Sequence, residues 1–167
     1  MAIARSPRVA WQGPPAFRDC GSGNGGEARR MVKITGEYQG GLHCTARHEP
    51  SGNVLVTDAP KDNQGRGEAF SPTDLVATSF GACIATTMAI AAQKQGIELR
   101  GLRFEVTKEM STTAPRRIVR LATQIWMPIP VSHPAARQLA EIARNCPVHH
   151  SLHPSVEKPV VFHWAEK

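Results

Sequence analysis

From Val32 onward apolar and polar positions alternate in short runs. Val32, Ile34 and Gly36 interleave with Lys33, Thr35 and Glu37, and a period of two predicts a strand with one face turned inward. Gly40-Gly41 supplies a turn, and Leu42, Cys44 and Ala46 then repeat the alternation. Ser51-Gly52-Asn53 turns the chain again, and Val54-Leu55-Val56-Thr57 forms a third run. Short strands joined by Gly-containing turns predict an antiparallel meander. Residues 58–70 carry Asp58, Pro60, Asp62, Asn63, Gly65 and Gly67, the composition of a loop.

At Ser71-Pro72-Thr73-Asp74 the period changes. Ser71 is suited to cap a helix, Pro72 to its first position, and Asp74 to the positive end of its dipole. The helix runs through Leu75, Val76, Ser79, Cys83, Thr86, Ile90 and Lys94 to a stop at Gly96, with few charges between Asp74 and Lys94. A helix apolar or small nearly all round is one that is buried. The small residues Ser79, Gly81, Ala82, Cys83 and Ala85 leave room for a partner helix. Two strands are expected at about 97–109 and 116–127, turning at Thr112-Thr113-Ala114-Pro115. A second helix starts at Ser132-His133-Pro134, with Leu139, Ile142 and Ala143 facing inward, and breaks at Asn145-Cys146-Pro147. A short helical turn at 147–152 and a closing strand at Val160-Val161-Phe162 complete the pattern. The order βββ-α-ββ-α-β, with two central helices, predicts an α+β fold.

Residues 1–30 show no hydrophobic period and contain Gly13-Pro14-Pro15 and the run Gly21 to Gly26. They read as a disordered tail, with Cys20 inert within it, ahead of a single domain over 31–167. The 167 residues, 41% of them apolar, suffice for one packed core. The net charge of +6 is diffuse, with five arginines in the first thirty residues. No basic stripe interleaved with aromatics points to nucleic acid. No apolar run approaches the roughly 20 residues of a membrane span, and no secretory leader is evident. A cytoplasmic location is therefore expected, where four cysteines favour reduced or catalytic thiols over a disulfide framework.

Cys83 falls mid-helix, where a free cysteine by default behaves as a small buried hydrophobe. It lies beyond the reach of the helix dipole, so a reactive Cys83 needs a neighbouring cation, and arginine suits that task. Cys146 precedes Pro147 and must be extended. If Pro147 opens a helix, the exposed N–H groups would favour a thiolate at Cys146. The alternative is a cap residue that happens to be cysteine. Cys146, His149, His150 and His153, with His163 further on, invite a zinc reading, but the usual second set of ligands is missing. No phosphate loop and no Gly-x-Ser-x-Gly elbow is present.

Taken together, these residues resemble the OsmC/Ohr family, from about Gly36 to Trp164. The likeness is strongest in Ser71-Pro72-Thr73-Asp74-Leu75 leading to Gly81-Ala82-Cys83, and in Asn145-Cys146-Pro147-Val148-His149-His150-Ser151-Leu152. His48, Ser51-Gly52 and Thr57-Asp58-Ala59-Pro60 are similar to one OsmC branch. The resemblance implies an intertwined homodimer with active sites at the subunit interface and a peroxidase reaction on organic hydroperoxides. It puts Cys83 at the peroxidatic position and Cys146 at the resolving one. The family's arginine comes from the N-terminal strands; Arg47 matches best by position and Arg66 is the runner-up. Where the Ohr branch has Glu directly after the Pro, this chain has Thr73, and Asp74 follows one place on. That shift turns the side chain by about 100°, so Asp74 either serves the same arginine or only caps the helix. The implied partners are a homodimeric copy, an organic hydroperoxide and a dithiol reductant, a lipoyl-type one among the candidates. Nucleic acid, membrane, metal and cofactor are not expected. Two rival readings stand beside this one: a non-enzymatic, stress-related small-molecule-binding or redox-sensing protein on the same fold, and a zinc module built on Cys146 and the His cluster.

Overall fold

The computed structural model describes residues 31–166. The expected tail over 1–30, Cys20 included, lies outside the described residues. Strands β1 (Ile34–Gly40), β2 (His43–His48) and β3 (Val54–Thr57) form the antiparallel meander, in the order β1-β2-β3. The first turn is tighter than alternation suggested. Gly40 and Gly41 take φ of 85° and 59°, and Leu42 follows at 69°, so β2 starts at His43. The first two cost little because glycine has no Cβ. The Leu42 N–H donates to the Tyr38 hydroxyl at 3.2 Å. The register pairs Gly36 with Ala46, Tyr38 with Cys44 and Ala46 with Leu55, which places these side chains on one face.

Helix α1 spans Pro72–Gln93. Its start is a reciprocal capping box: the Asp74 N–H donates to Ser71 Oγ at 3.2 Å, and the Ser71 N–H donates to Asp74 Oδ2 at 2.7 Å. Its end is a Schellman closure, with Gly96 at φ 69° and the Ile97 N–H returning to the Ala92 carbonyl at 3.0 Å. At 22 residues α1 is long and apolar enough to cross a membrane by length and composition. This corrects the sequence expectation, which gave too little weight to the uncharged small residues that extend the run. One stripe of α1, comprising Ala77, Phe80, Gly81, Ile84, Met88 and Ala92, is buried in the chain's own core. Its spacing of three and four residues is that of a core-facing helix. The remainder is less covered than the sequence predicted, and Ile90 is 58% exposed.

That stripe packs on a second sheet, ordered β4-β5-β6, made of β4 (Arg103–Met110), β5 (Ile118–Pro130) and β6 (Val160–Ala165). Leu121, Thr123, Ile125 and Met127 on β5 alternate inward and are buried. Gly81 sits against Phe104 and Val106, and a Cβ there would come within 2.9 Å of a Val106 methyl. Only glycine permits that approach of helix to sheet. β6 runs parallel to β5, because the intervening helices α2 (Ala136–Ala143) and α3 (Pro147–Ser151) act as a crossover. Two starts shift most from the sequence reading. Residues 97–102 turn rather than extend, with the Leu102 N–H bonded to the Leu99 carbonyl at 3.0 Å. Ser132-His133-Pro134 forms a turn, closed by the Ala136 N–H on the His133 carbonyl at 2.9 Å, so α2 begins only at Ala136.

Candidate active site

Pro147 dictates the local geometry around Cys146. The residue before a proline is pushed out of the helical region, and Cys146 takes φ −72° and ψ 152° as the cap of α3. Its Sγ accepts the His149 N–H at 3.4 Å. Cys146 is fully buried, in a core with Phe80, Ile84 and Leu139. Cys83, one face round from the buried stripe of α1, is half-buried and packs against that same core. Helix α3 packs on α1, and the two cysteines, 63 positions apart, thereby become neighbours. Both are free thiols.

Burial pushes the Cys146 thiol above its ordinary value. The His149 and Val148 N–H groups pull the other way, and the adjacent Cys83 pushes it up further. The helix N-terminus therefore does not make Cys146 a thiolate, contrary to what local sequence suggested; desolvation outweighs the few N–H groups of a five-residue helix. Burial also holds the His149 imidazole below its usual range, helped by the charges of Lys158 and His150. Its ring meets Phe80 at 6.0 Å, tilted by 50°. Cys146, His149, His150 and His153 do not converge as a ligand set among the described residues, which removes the structural basis for a zinc module there.

Asp74 does what a cap does, and more. Burial opposes its charge, but the Lys108 ammonium and the Ser71 hydroxyl and N–H hold its carboxyl below the usual range. Lys108 Nζ lies 2.6 Å from Asp74 Oδ1 and 2.7 Å from Thr73 Oγ1. The cation beside Asp74 is thus a lysine from β4, which sequence reasoning missed because the two lie 34 positions apart. Arg47 is exposed on β2, paired in register with Thr35 and Val54. Its sheet is not among the elements that pack closely on α1, which are β4, β5, α2 and α3. Arg66, 72% exposed, faces Glu68 at 3.7 Å. Within one chain the structure brings Cys83 and Cys146 together and leaves Arg47 on the other sheet. A cleft of about 640 Å³ at the start of α1, lined by Glu68, Phe70, Asp74, Phe104 and Lys108, contains neither cysteine.

The family described as OsmC-like protein matches residues 65–158, a span that includes both cysteines. An osmotic stress induced and detoxification response protein from Psychrobacter arcticus is 39% identical in sequence, with a TM-score of 0.73, over 82% of this chain and 98% of that one. Two more distant structures share the fold. An organic hydroperoxide resistance protein OsmC from Legionella pneumophila is 18% identical over 81% of this chain and 98% of that one, with a TM-score of 0.64. An organic hydroperoxide resistance protein from Vibrio cholerae, with captopril bound in one of its active sites, is 19% identical over 81% of this chain and 93% of that one, with a TM-score of 0.66. No curated protein sequence matches the chain.

Proposed function

The chain belongs to the OsmC-like family, and on that premise we propose that it is a thiol-dependent peroxidase for organic hydroperoxides. The observation that carries this reading is the pairing of a half-buried Cys83 with a fully buried Cys146 at the junction of α1 and α3. The two environments suit two different tasks. Cys83 attacks the terminal peroxide oxygen as a thiolate. The O–O bond breaks, the alcohol leaves with a proton, and Cys83 becomes a sulfenic acid. Cys146, kept as a thiol by its burial, then condenses with that sulfenic acid, forming a disulfide and releasing water. A dithiol of the lipoyl type returns both cysteines to thiols by exchange and is itself oxidised to a disulfide.

The reading includes a homodimer. The meander sheet has no core of its own in the single chain, and Ile34, Tyr38 and Leu55, all on one of its faces, are 66%, 61% and 42% exposed. Ile90 on α1 is likewise bare. Apolar faces of this kind mark an interface. Docking the meander sheet of each chain over α1 of the other covers both. Arg47, in register with Thr35 and Val54, lies on the opposite face of the sheet, so this docking does not aim it at Cys83, and the cation for that thiolate falls to the runner-up, Arg66. Asp74, engaged with Ser71 and Lys108, positions the start of α1 rather than an arginine.

The test is steady-state consumption of cumene hydroperoxide with dihydrolipoamide as reductant. Turnover that saturates in both substrates is expected. A protein that is inert at excess peroxide with its thiols still reduced would leave only the binding or sensing role.

A further inference from the structure

A second cluster lies away from the cysteines. His43 opens β2, Asp58 follows β3, and Glu68 lies near the end of the loop that leads to α1. His43 Nε2 sits 3.2 Å from Glu68 Oε2 and 3.7 Å from Asp58 Oδ1. One donor atom from each residue lies within 4.8 Å of the other two.

With the imidazole neutral, the hydrogen bonds around this cluster turn three acceptor atoms toward its centre. The other imidazole nitrogen, Nδ1, lies 2.9 Å from the Gly41 carbonyl. A carbonyl can only accept, so Nδ1 carries the hydrogen, and in the neutral ring Nε2 presents a lone pair. That lone pair faces two carboxylate oxygens, which are acceptors only. Asp58 sharpens the point. Its side chain is completely buried, and its Oδ2 accepts the N–H groups of Arg66 and Glu68 at 3.1 and 3.0 Å. Its Oδ1 is buried with no hydrogen-bond partner and points toward His43. A buried acceptor left unpaired is costly.

The placement is built rather than incidental. The two N–H bonds fix the direction of the Asp58 carboxylate, and Gly65 lies so close against the Ala59 backbone that any Cβ there would collide with it. The spacing fits a small cation: ligand atoms at 2.0–2.2 Å from a tetrahedral zinc ion are roughly 3.3–3.6 Å apart, beside the observed 3.2 and 3.7 Å. One imidazole and two carboxylates match the charge of a divalent ion, and three protein ligands leave the fourth position to water. Among the described residues, the one other cation on these carboxylates is Arg66, 3.7 Å from the second oxygen of Glu68 and 72% exposed.

We propose that His43, Asp58 and Glu68 bind a divalent transition-metal ion of the zinc type, distinct from the cysteine pair. The site ties β2 to the loop 58–70. A single imidazolium held by two carboxylates is the competing state, and it binds no metal.

The probes are Zn²⁺ by calorimetric titration and Co²⁺ by visible absorption, on the untagged full chain with its thiols reduced. The expected result is one ion per chain, with tetrahedral cobalt bands and no sulfur-to-cobalt charge transfer. His43→Ala should weaken Zn²⁺ binding at least about tenfold, since even partners outside the ligand shell cost 10–100-fold. Glu68→Gln, a near-isosteric change at a side chain 55% exposed, tests the same point without endangering the fold. No zinc binding, or binding that is unchanged in both variants, overturns the proposal; so does a cobalt spectrum dominated by thiolate.

Discussion

Cys83→Ser is expected to lose hydroperoxide turnover by at least about 10³-fold, in line with removal of a covalent nucleophile, while its stability barely changes. Cys83 is half-buried at the edge of the core, so the hydroxyl keeps access to water. Serine cannot replace it chemically, since its oxygen is neither a thiolate nor able to pass through a sulfenic acid. Cys146→Ser should behave differently. Its first turnover with one equivalent of peroxide survives, because the attack happens at Cys83. Resolution then fails, and continued exposure to peroxide drives Cys83 on to the sulfinic acid. Rapid-quench and steady-state assays with mass spectrometry separate the two variants. Turnover surviving in Cys83→Ser and lost in Cys146→Ser would reverse the roles.

Phe80→Ala is the second large effect, and it couples stability to chemistry. Phe80 is fully buried on the stripe of α1 that faces the core, and its ring meets His149 on α3 at 6.0 Å. It therefore braces the helix that carries Cys146 against the helix that carries Cys83. Truncating a buried phenylalanine to alanine costs about 3–5 kcal/mol, a large part of the stability of an ordinary domain. Urea denaturation should show that loss. Phe80→Leu, which keeps most of the volume, should stay folded yet form the Cys83–Cys146 disulfide more slowly than wild type after one equivalent of peroxide. A loss under about 1 kcal/mol in Phe80→Ala would mean that the α1–α3 contact is not what holds the pair, given the usual cost of such a cavity.

What sequence could reveal here follows the range of the interactions. The start of α1 was legible because the Ser71–Asp74 capping box closes within four residues. The meander was legible because strand alternation is local and the turns carry their own glycines. The parallel return of β6 beside β5 depends on how two short helices cross the sheet, and no local pattern announces it. Helix α2 began later than expected because Ser132-His133-Pro134, a plausible cap by composition, closes a turn instead. At the site, both cysteines were legible, but the state of Cys146 was not: its local geometry argues for a thiolate, and only the core built by distant residues shows that burial wins. Lys108 at Asp74, and the His43, Asp58 and Glu68 cluster, escaped for the same reason, being brought together by a sheet and a loop across irregular spacings. A small mark of the second was visible in Thr57-Asp58-Ala59-Pro60, where an acidic residue directly follows an inward-facing strand residue.

The most direct test of the central claim is peptide mapping under non-reducing conditions, after the reduced full-length protein is treated with one equivalent of cumene hydroperoxide and its remaining thiols are alkylated. The account predicts one disulfide joining the peptides of Cys83 and Cys146, with Cys20 and Cys44 recovered as alkylated thiols and one equivalent of alcohol released. Recovery of Cys83 and Cys146 both alkylated, or a disulfide that pairs either of them with Cys44, would contradict it.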